Sequence, residues 1–230
     1  MCHQAQRFRD RFWVTDDVGP YPALALNADG RPADTPTSNM GHLLGTGLLD
    51  EAESAAVVRR LAAPDMDSEL GLRTMSANAR GFNPLGYHTG SVWPHDNAIV
   101  LAGLRRVRTD EADALAYRLV RGLVRGGAAF EYRFPELYGG AGEPPLPYPA
   151  SCRPQAWSAA AAVEMLRAVL GIEPDVPNGT LRITPMAPSP VGALAVRDLP
   201  LAGGRLDVDI APGGAVSVPR SPDRVAVFLS

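Results

Sequence analysis

Tyr87, His88, Trp93, His95, Asp96 and Asn97 fall within one short stretch of the chain, and Gln155 and Trp157 repeat the same residue types further on. Flat aromatic rings suit the apolar C–H faces of sugars, while carboxylates, amides and imidazoles pair with sugar hydroxyls. Tyr87, His88, Trp93, His95, Asp96, Gln155 and Trp157 are therefore the expected carbohydrate contacts. Cleaving a glycosidic bond further requires two carboxyl groups flanking it, one an acid and the other a base or nucleophile. Glu131 and Glu136 share the loop Phe130-Glu131-Tyr132-Arg133-Phe134-Pro135-Glu136-Leu137-Tyr138-Gly139-Gly140. Glu136, following Pro135, is the expected catalytic residue. Glu131 reads first as a solvated loop charge, and Arg133 is placed to pair with either.

Simpler roles compete with each of these. A lone helical tryptophan is usually core packing, which applies to Trp93 and to Trp157. His42 reads as a satisfied core histidine, and Cys152, just before a helix, as a small buried filler. Asp96 at a buried helix start must be paired or functional, or must serve as a cap facing the helix dipole. His88 and His95 lack a third ligand at metal-site spacing, so no metal is expected.

These residues need elements to position them. The first expected helix runs from Cys2 to about Val14, followed by an extended segment, Pro20 to Asn27, that turns at Asp29-Gly30. Ser38-Asn39 offer N-caps for a second helix through Leu49. Asp50 and Glu53 stand at capping-box spacing for a third, which Pro64 stops. A loop spans 65–90, and a fourth helix runs from Ser91-Pro94 to about Val107, apolar all round at Ala98-Ala102 and hence buried on every side. The fifth opens at Thr109-Asp110-Glu111, with Leu115, Leu119, Leu123, Val120 and Val124 on one stripe and Arg118, Arg121 and Arg125 facing away. A Gly- and Pro-rich loop follows from Gly126 to Cys152. The sixth helix starts at Arg153-Pro154-Gln155 and ends at Gly171, a second inner helix. The tail alternates, with Leu206, Val208 and Ile210 on one face and Asp207 and Asp209 on the other, Gly203-Gly204 as a hairpin turn, and Val225, Val227 and Leu229 closing the chain. It reads as a small antiparallel sheet. The division is thus a helical part, 1–175, and a β-rich appendage, 176–230. The polar and aromatic residues sit at the starts of the buried helices, which alternating helices would gather at one end.

Composition sets the outer bounds. The 230 residues are 46% hydrophobic and 20% charged, as in a packed globular chain. The 22 basic residues, all arginine, nearly balance 25 acidic ones, and they form no basic block, so no nucleic-acid partner is expected. Without lysine, no lysine Schiff base or lysine nucleophile exists. No apolar run approaches the roughly 18 residues of a membrane span, and the opening Met1-Cys2-His3-Gln4 carries no apolar signal core, so a cytoplasmic protein is expected.

Three blocks together resemble a family. Asn83-Pro84-Leu85-Gly86-Tyr87-His88-Thr89-Gly90-Ser91-Val92-Trp93-Pro94-His95-Asp96-Asn97 is similar to the most characteristic block of bacterial amylo-α-1,6-glucosidase (glycogen debranching enzyme)-like proteins. Arg133-Phe134-Pro135-Glu136-Leu137-Tyr138 resembles their Arg-Leu-Pro-Glu-Leu-Phe block, and Tyr148-Pro149-Ala150-Ser151-Cys152-Arg153-Pro154-Gln155-Ala156-Trp157 their Tyr-Pro-x-Ala-Cys-x-Pro-Gln-Ala-Trp block. Ser38-Asn39-Met40-Gly41-His42-Leu43-Leu44 and Leu72-Arg73-Thr74-Met75-Ser76 fit as well. The resemblance implies a six-hairpin glycosidase: mainly α, an (α/α)₆ toroid of which this chain supplies about half, with the β tail appended. It implies inverting hydrolysis of an α-glucosidic bond without cofactor, Glu136 as general base and the Trp-Pro-His-Asp block lining the sugar site. The family's general acid lies in an upstream Trp-Lys-Asp-Ser type block that this chain lacks. A separate N-terminal half is the implied partner, and uncovered inner helices imply association or poor solubility. The competing reading is a non-catalytic carbohydrate-binding or interaction remnant.

Overall fold

The computed structural model describes residues 3–229, so the part of the first helix expected at Cys2 lies outside the described residues. The chain forms two compact units, Met1–Ala162 and Val163–Ser230.

In the first unit, α1 (His3–Phe12) runs into β1 (Trp13–Thr15), which pairs antiparallel with β2 (Pro20–Pro22). A two-stranded ladder of β3 (Ala25–Leu26) and β4 (Pro32–Ala33) follows, turning between Asn27 and Arg31. The segment expected as a second helix is only a 3-10 helix, Ser38–Leu43. Gly45 and Gly47 take positive φ, 70° and 81°, and end it. The next helix, α2 (Glu51–Leu61), has the expected capping box: Glu53 N–H donates to Asp50 Oδ1 at 2.8 Å, and Asp50 N–H donates to Glu53 Oε2 at 2.9 Å. α3 (Pro94–Val107) and α4 (Asp110–Ala128) make a helical hairpin whose second member is capped by Thr109. Leu115, Leu119, Leu123 and Val120 of α4 are buried, and Arg118, Arg121 and Arg125 are exposed, as the stripe requires.

The long loop between α2 and α3 is fastened at several points. Arg73 bridges Val92, and Val92 in turn bridges Tyr138 of β5 (Tyr138–Gly139), itself paired with β6 (Leu146–Pro147). Asn97, fully buried on α3, accepts Leu72 N–H at 2.6 Å and donates to Leu72 O at 3.2 Å and Trp93 O at 2.9 Å. A side-chain amide satisfying loop backbone in this way replaces a missing sheet or helix partner.

α5 (Ala156–Leu170) contributes Ala156–Ala162 to the first unit and Val163–Leu170 to the second. It ends at Gly171, φ 63°, where a Cβ would lie 1.7 Å from the Thr184 carbonyl oxygen, so only glycine fits. The second unit holds two three-stranded sheets. One is ordered β12-β8-β7 from β7 (Ile172–Asp175), β8 (Thr180–Ile183) and β12 (Ala226–Leu229). The other is ordered β11-β10-β9 from β9 (Leu194–Leu201), β10 (Gly204–Ile210) and β11 (Val216–Arg220). The hairpin turns at Ala202-Gly203, both at positive φ (49° and 78°), one residue earlier than expected. Leu206, Val208 and Ile210 join Leu181, Ile183 and Val225 in its core.

The expectation of a mainly α half-toroid with an antiparallel tail does not hold. Helix makes up 33% of the chain and strand 23%, spread over several small sheets, and no toroid of hairpins is seen among the described residues. The tail is mixed, because β12 runs parallel to β8. The physical cause is loop content: the glycine breaks after the 3-10 helix and the long linking segments leave α3–α4 as the one tight hairpin among the described helices. α3 is not buried on every side as expected, and α5, expected as an inner helix, is also partly exposed. α3 leaves Ile99 exposed one turn beyond His95, and α5 exposes Trp157 and Val163.

Candidate active site

The Val92–Tyr138 bridge decides where Glu136 goes. Val92 N–H donates to Tyr138 O at 2.8 Å and Tyr138 N–H returns to Val92 O at 3.0 Å, which lays the strand carrying Glu136 beside the residues that lead into α3. Leu137 and Tyr138 are fully buried, while Glu136, between Pro135 and Leu137, stays half-buried. Its N–H donates to Cys152 O at 3.0 Å, and Ser151 Oγ binds both polar groups of the Leu137 backbone. The carboxylate accepts the Tyr87 hydroxyl at 2.5 Å.

Around this pair the aromatic side chains form a connected cluster. Tyr87 meets Trp93 edge-on at 4.7 Å, His88 at 4.6 Å and Tyr148 at 5.8 Å. Trp93 stacks on His88 at 5.2 Å and meets His95 at 5.5 Å. His95 stacks on Trp157 at 4.0 Å with the planes 7° apart. Trp93 is 3% exposed, its indole N–H shared between Tyr87 O at 2.8 Å and Ser91 Oγ at 3.1 Å. It is the packed backing of the cluster. Trp157, 45% exposed, presents an open face. Gln155, one of the expected sugar contacts, lies just before α5. Its Oε1 accepts Trp157 N–H at 2.9 Å and Ser158 N–H at 3.3 Å, capping α5 and aiming the indole.

The polar members pair across long sequence distances. His42, expected as a satisfied core histidine, is half-exposed, and its Nε2 lies 2.7 Å from Asp96 Oδ1. Asp96 is buried in the first turn of α3, where the helix dipole also favours its charge. Its Oδ2, like His95 Nδ1 and Ser158 Oγ, is buried without a hydrogen-bond partner. Burial first, and the neighbouring His42 ring, hold His95 below the ordinary histidine value against the pull of Asp96 and Glu136. Cys152, expected as a buried filler, is exposed. Among the described residues no group of three or more His, Cys, Asp or Glu side chains is arranged to hold a metal ion, and no helix is long and apolar enough to cross a membrane.

Glu131 stands apart. It is exposed, at φ 56° beside Tyr132 at φ 58°, where the chain leaves α4 through a Tyr132 N–H to Gly127 O bond of 2.9 Å. It pairs with Arg153 at 3.9 Å. It shapes the helix exit, a place glycine usually takes. Tyr148 was missed as a member of the cluster, although it opens the Tyr-Pro-Ala-Ser-Cys segment. His42 is satisfied as expected but lies outside the core, and its partner is 54 positions away, beyond the reach of any local spacing.

Chemically the cluster offers a fixed carboxylate beside open aromatic and imidazole faces, with unsatisfied acceptors nearby. The mannosylglycerate hydrolase MGH1-like glycoside hydrolase domain family has a model that matches residues 3–142. No curated protein matches the chain. Among solved structures, the chain is similar to an uncharacterized conserved protein from Thermus thermophilus, 22% identical, with a TM-score of 0.49 over 69% of this chain. The chain spans 36% of that protein's length.

Proposed function

Because the chain belongs to the mannosylglycerate hydrolase MGH1-like glycoside hydrolase domain family, we propose that it is the part of an inverting glycoside hydrolase that carries the general base, Glu136. The observation that carries this reading is the half-buried Glu136 carboxylate held by Tyr87 inside the aromatic cluster. Glu136 takes a proton from a water molecule as that water attacks the anomeric carbon. The leaving oxygen is protonated from the opposite side by an acid on an upstream segment or a separate chain. Exposed Ile99 and Trp157, flanking His95, support a further covering segment there. Asp96 Oδ2 and His95 Nδ1 have hydrogen-bonding capacity suited to sugar hydroxyls.

The substrate class is an α-glycoside. The family name points to a sugar on a small acidic aglycone such as mannosylglycerate, and the motif blocks resembling amylo-α-1,6-glucosidases point to α-1,6-glucosides. The test is hydrolysis of both kinds of glycoside by the full chain, alone and co-expressed with the upstream-encoded segment, with the anomer released followed by proton NMR. Inverted product from the assembled protein is expected. Retained configuration overturns the mechanism, and saturable sugar binding without hydrolysis leaves a carbohydrate-binding remnant.

Trp157 has a separate expected effect. Trp157→Ala should weaken sugar binding by about 2- to 10-fold, as loss of one stacking face does, with little change in thermal stability. Titration calorimetry beside a melting curve checks it. Trp93→Ala should instead act mainly on folding, since that ring is buried.

A further inference from the structure

Tyr87 and Glu136 are 49 positions apart and come from different loops, yet their oxygens lie 2.5 Å from each other. The phenol is fixed from several directions. Trp93, His88 and Tyr148 contact the ring of Tyr87, which remains 40% exposed, and the Tyr87 carbonyl accepts both Trp93 Nε1 at 2.8 Å and Ser91 Oγ at 2.9 Å. Glu136 is anchored through its backbone N–H to Cys152 O, which leaves three side-chain torsions to be set by something else. We propose that Tyr87 is the positioning residue of the base: its hydroxyl fixes Glu136 Oε1 and leaves Oε2 as the atom that receives the water proton.

The inference rests on the reading of Glu136 as general base. In the step it serves, the water oxygen bonds to the anomeric carbon, its proton passes to Oε2, the glycosidic C–O bond breaks, and the leaving oxygen takes a proton from the acid. A neutral phenol suits the task. An arginine would orient the carboxylate equally well, but its charge would suppress the carboxylate's basicity. The phenol also remains a donor throughout the working range, because the hydrogen bond to Glu136, and burial after it, push its pKa up to about 12.

Two measurements test this. Tyr87→Phe keeps the ring and removes the hydroxyl. In the assembled enzyme kcat should fall about 10- to 100-fold, the cost of a loosened reacting group, while KM changes less than about threefold. The second measurement needs no substrate. In the full chain, alkaline absorbance titration should show one tyrosine ionising at lower pH in Glu136→Gln than in wild type, returning toward the ordinary value of 10. It holds even where Tyr87→Phe fails to fold. Unchanged kcat and KM in Tyr87→Phe, or identical tyrosine titrations in wild type and Glu136→Gln, overturn the assignment. Absence of any glycoside turnover by the assembled enzyme defeats the glycosidase reading, and the titration still decides whether Tyr87 holds Glu136.

Discussion

Glu136→Gln should reduce turnover by about 10²–10⁴-fold, the usual contribution of a general base, with substrate affinity nearly unchanged. The amide keeps the size of the carboxylate and still accepts the Tyr87 hydroxyl through its oxygen, so the aromatic cluster retains its packing. What it loses is the ability to take a proton from water. The loss should therefore appear in kcat and not in KM, and single-turnover rates in the assembled enzyme measure it directly. Glu131→Gln is the contrast. That side chain is exposed and its ion pair with Arg153 spans 3.9 Å, so its rates should match wild type. Wild-type turnover in Glu136→Gln would remove the base from this loop.

Arg60→Met should cost about 3–5 kcal/mol of folding stability, the penalty of leaving buried charge uncompensated. Arg60 is 3% exposed. Its guanidinium binds Asp65 through two bonds, 3.0 and 2.7 Å, and Asp16 at 2.7 Å, and it lies 5.6 Å over the Tyr21 ring. Ser76 Oγ also donates to Asp65, so the network ties α2 to the start of the long loop that leads to Tyr87. Against a typical total of about 5–15 kcal/mol the loss is large, and a denaturant titration should show a lower midpoint at unchanged slope.

The same network predicts a pH dependence. Burial pushes the Asp65 carboxyl up, but the hydrogen bonds from Arg60 and Ser76 prevail and hold it below its ordinary value of 3.8. A carboxyl lowered by folding contributes stability that is complete above its unfolded value and lost as pH falls through the folded one. Wild type should lose this increment below about pH 4, where Arg60→Met has none to lose. The gap between the two proteins should therefore narrow on acidification. A constant gap down to about pH 3 would mean that Arg60 acts through packing alone.

Much of the local structure was legible. Asp50 and Glu53 cap α2 because the capping bonds span only three residues. The α4 stripe is buried as its period demands, since a helix repeats its face whatever surrounds it. The N-caps Ser38 and Asn39 predict a helix through Leu49, but Gly45 and Gly47, at positive φ, stop it after one 3-10 segment. Similarly, an α3 apolar all round predicts burial on every side and a mostly apolar α5 predicts an inner helix, yet apolarity does not guarantee cover. Hydrophobic residues state a preference for cover, and Ile99 and Trp157 show it unmet among the described residues.

Local chain chemistry sets which residue types stand at the helix starts, the helix caps, and a loop glutamate flanked by Pro135 and Leu137. Long-range packing fixes that His42 pairs with Asp96, that Asn97 serves the Leu72 backbone, that Trp93 is backing while Trp157 is open, and that Glu136 meets Tyr87. The reason is range. Caps and periodic faces are settled by dihedral preferences and hydrogen bonds within a turn or two of the chain. Those pairings exist only after the loop closes on α3 through Val92 and Tyr138, and no local preference encodes which distant partner a closed loop will meet.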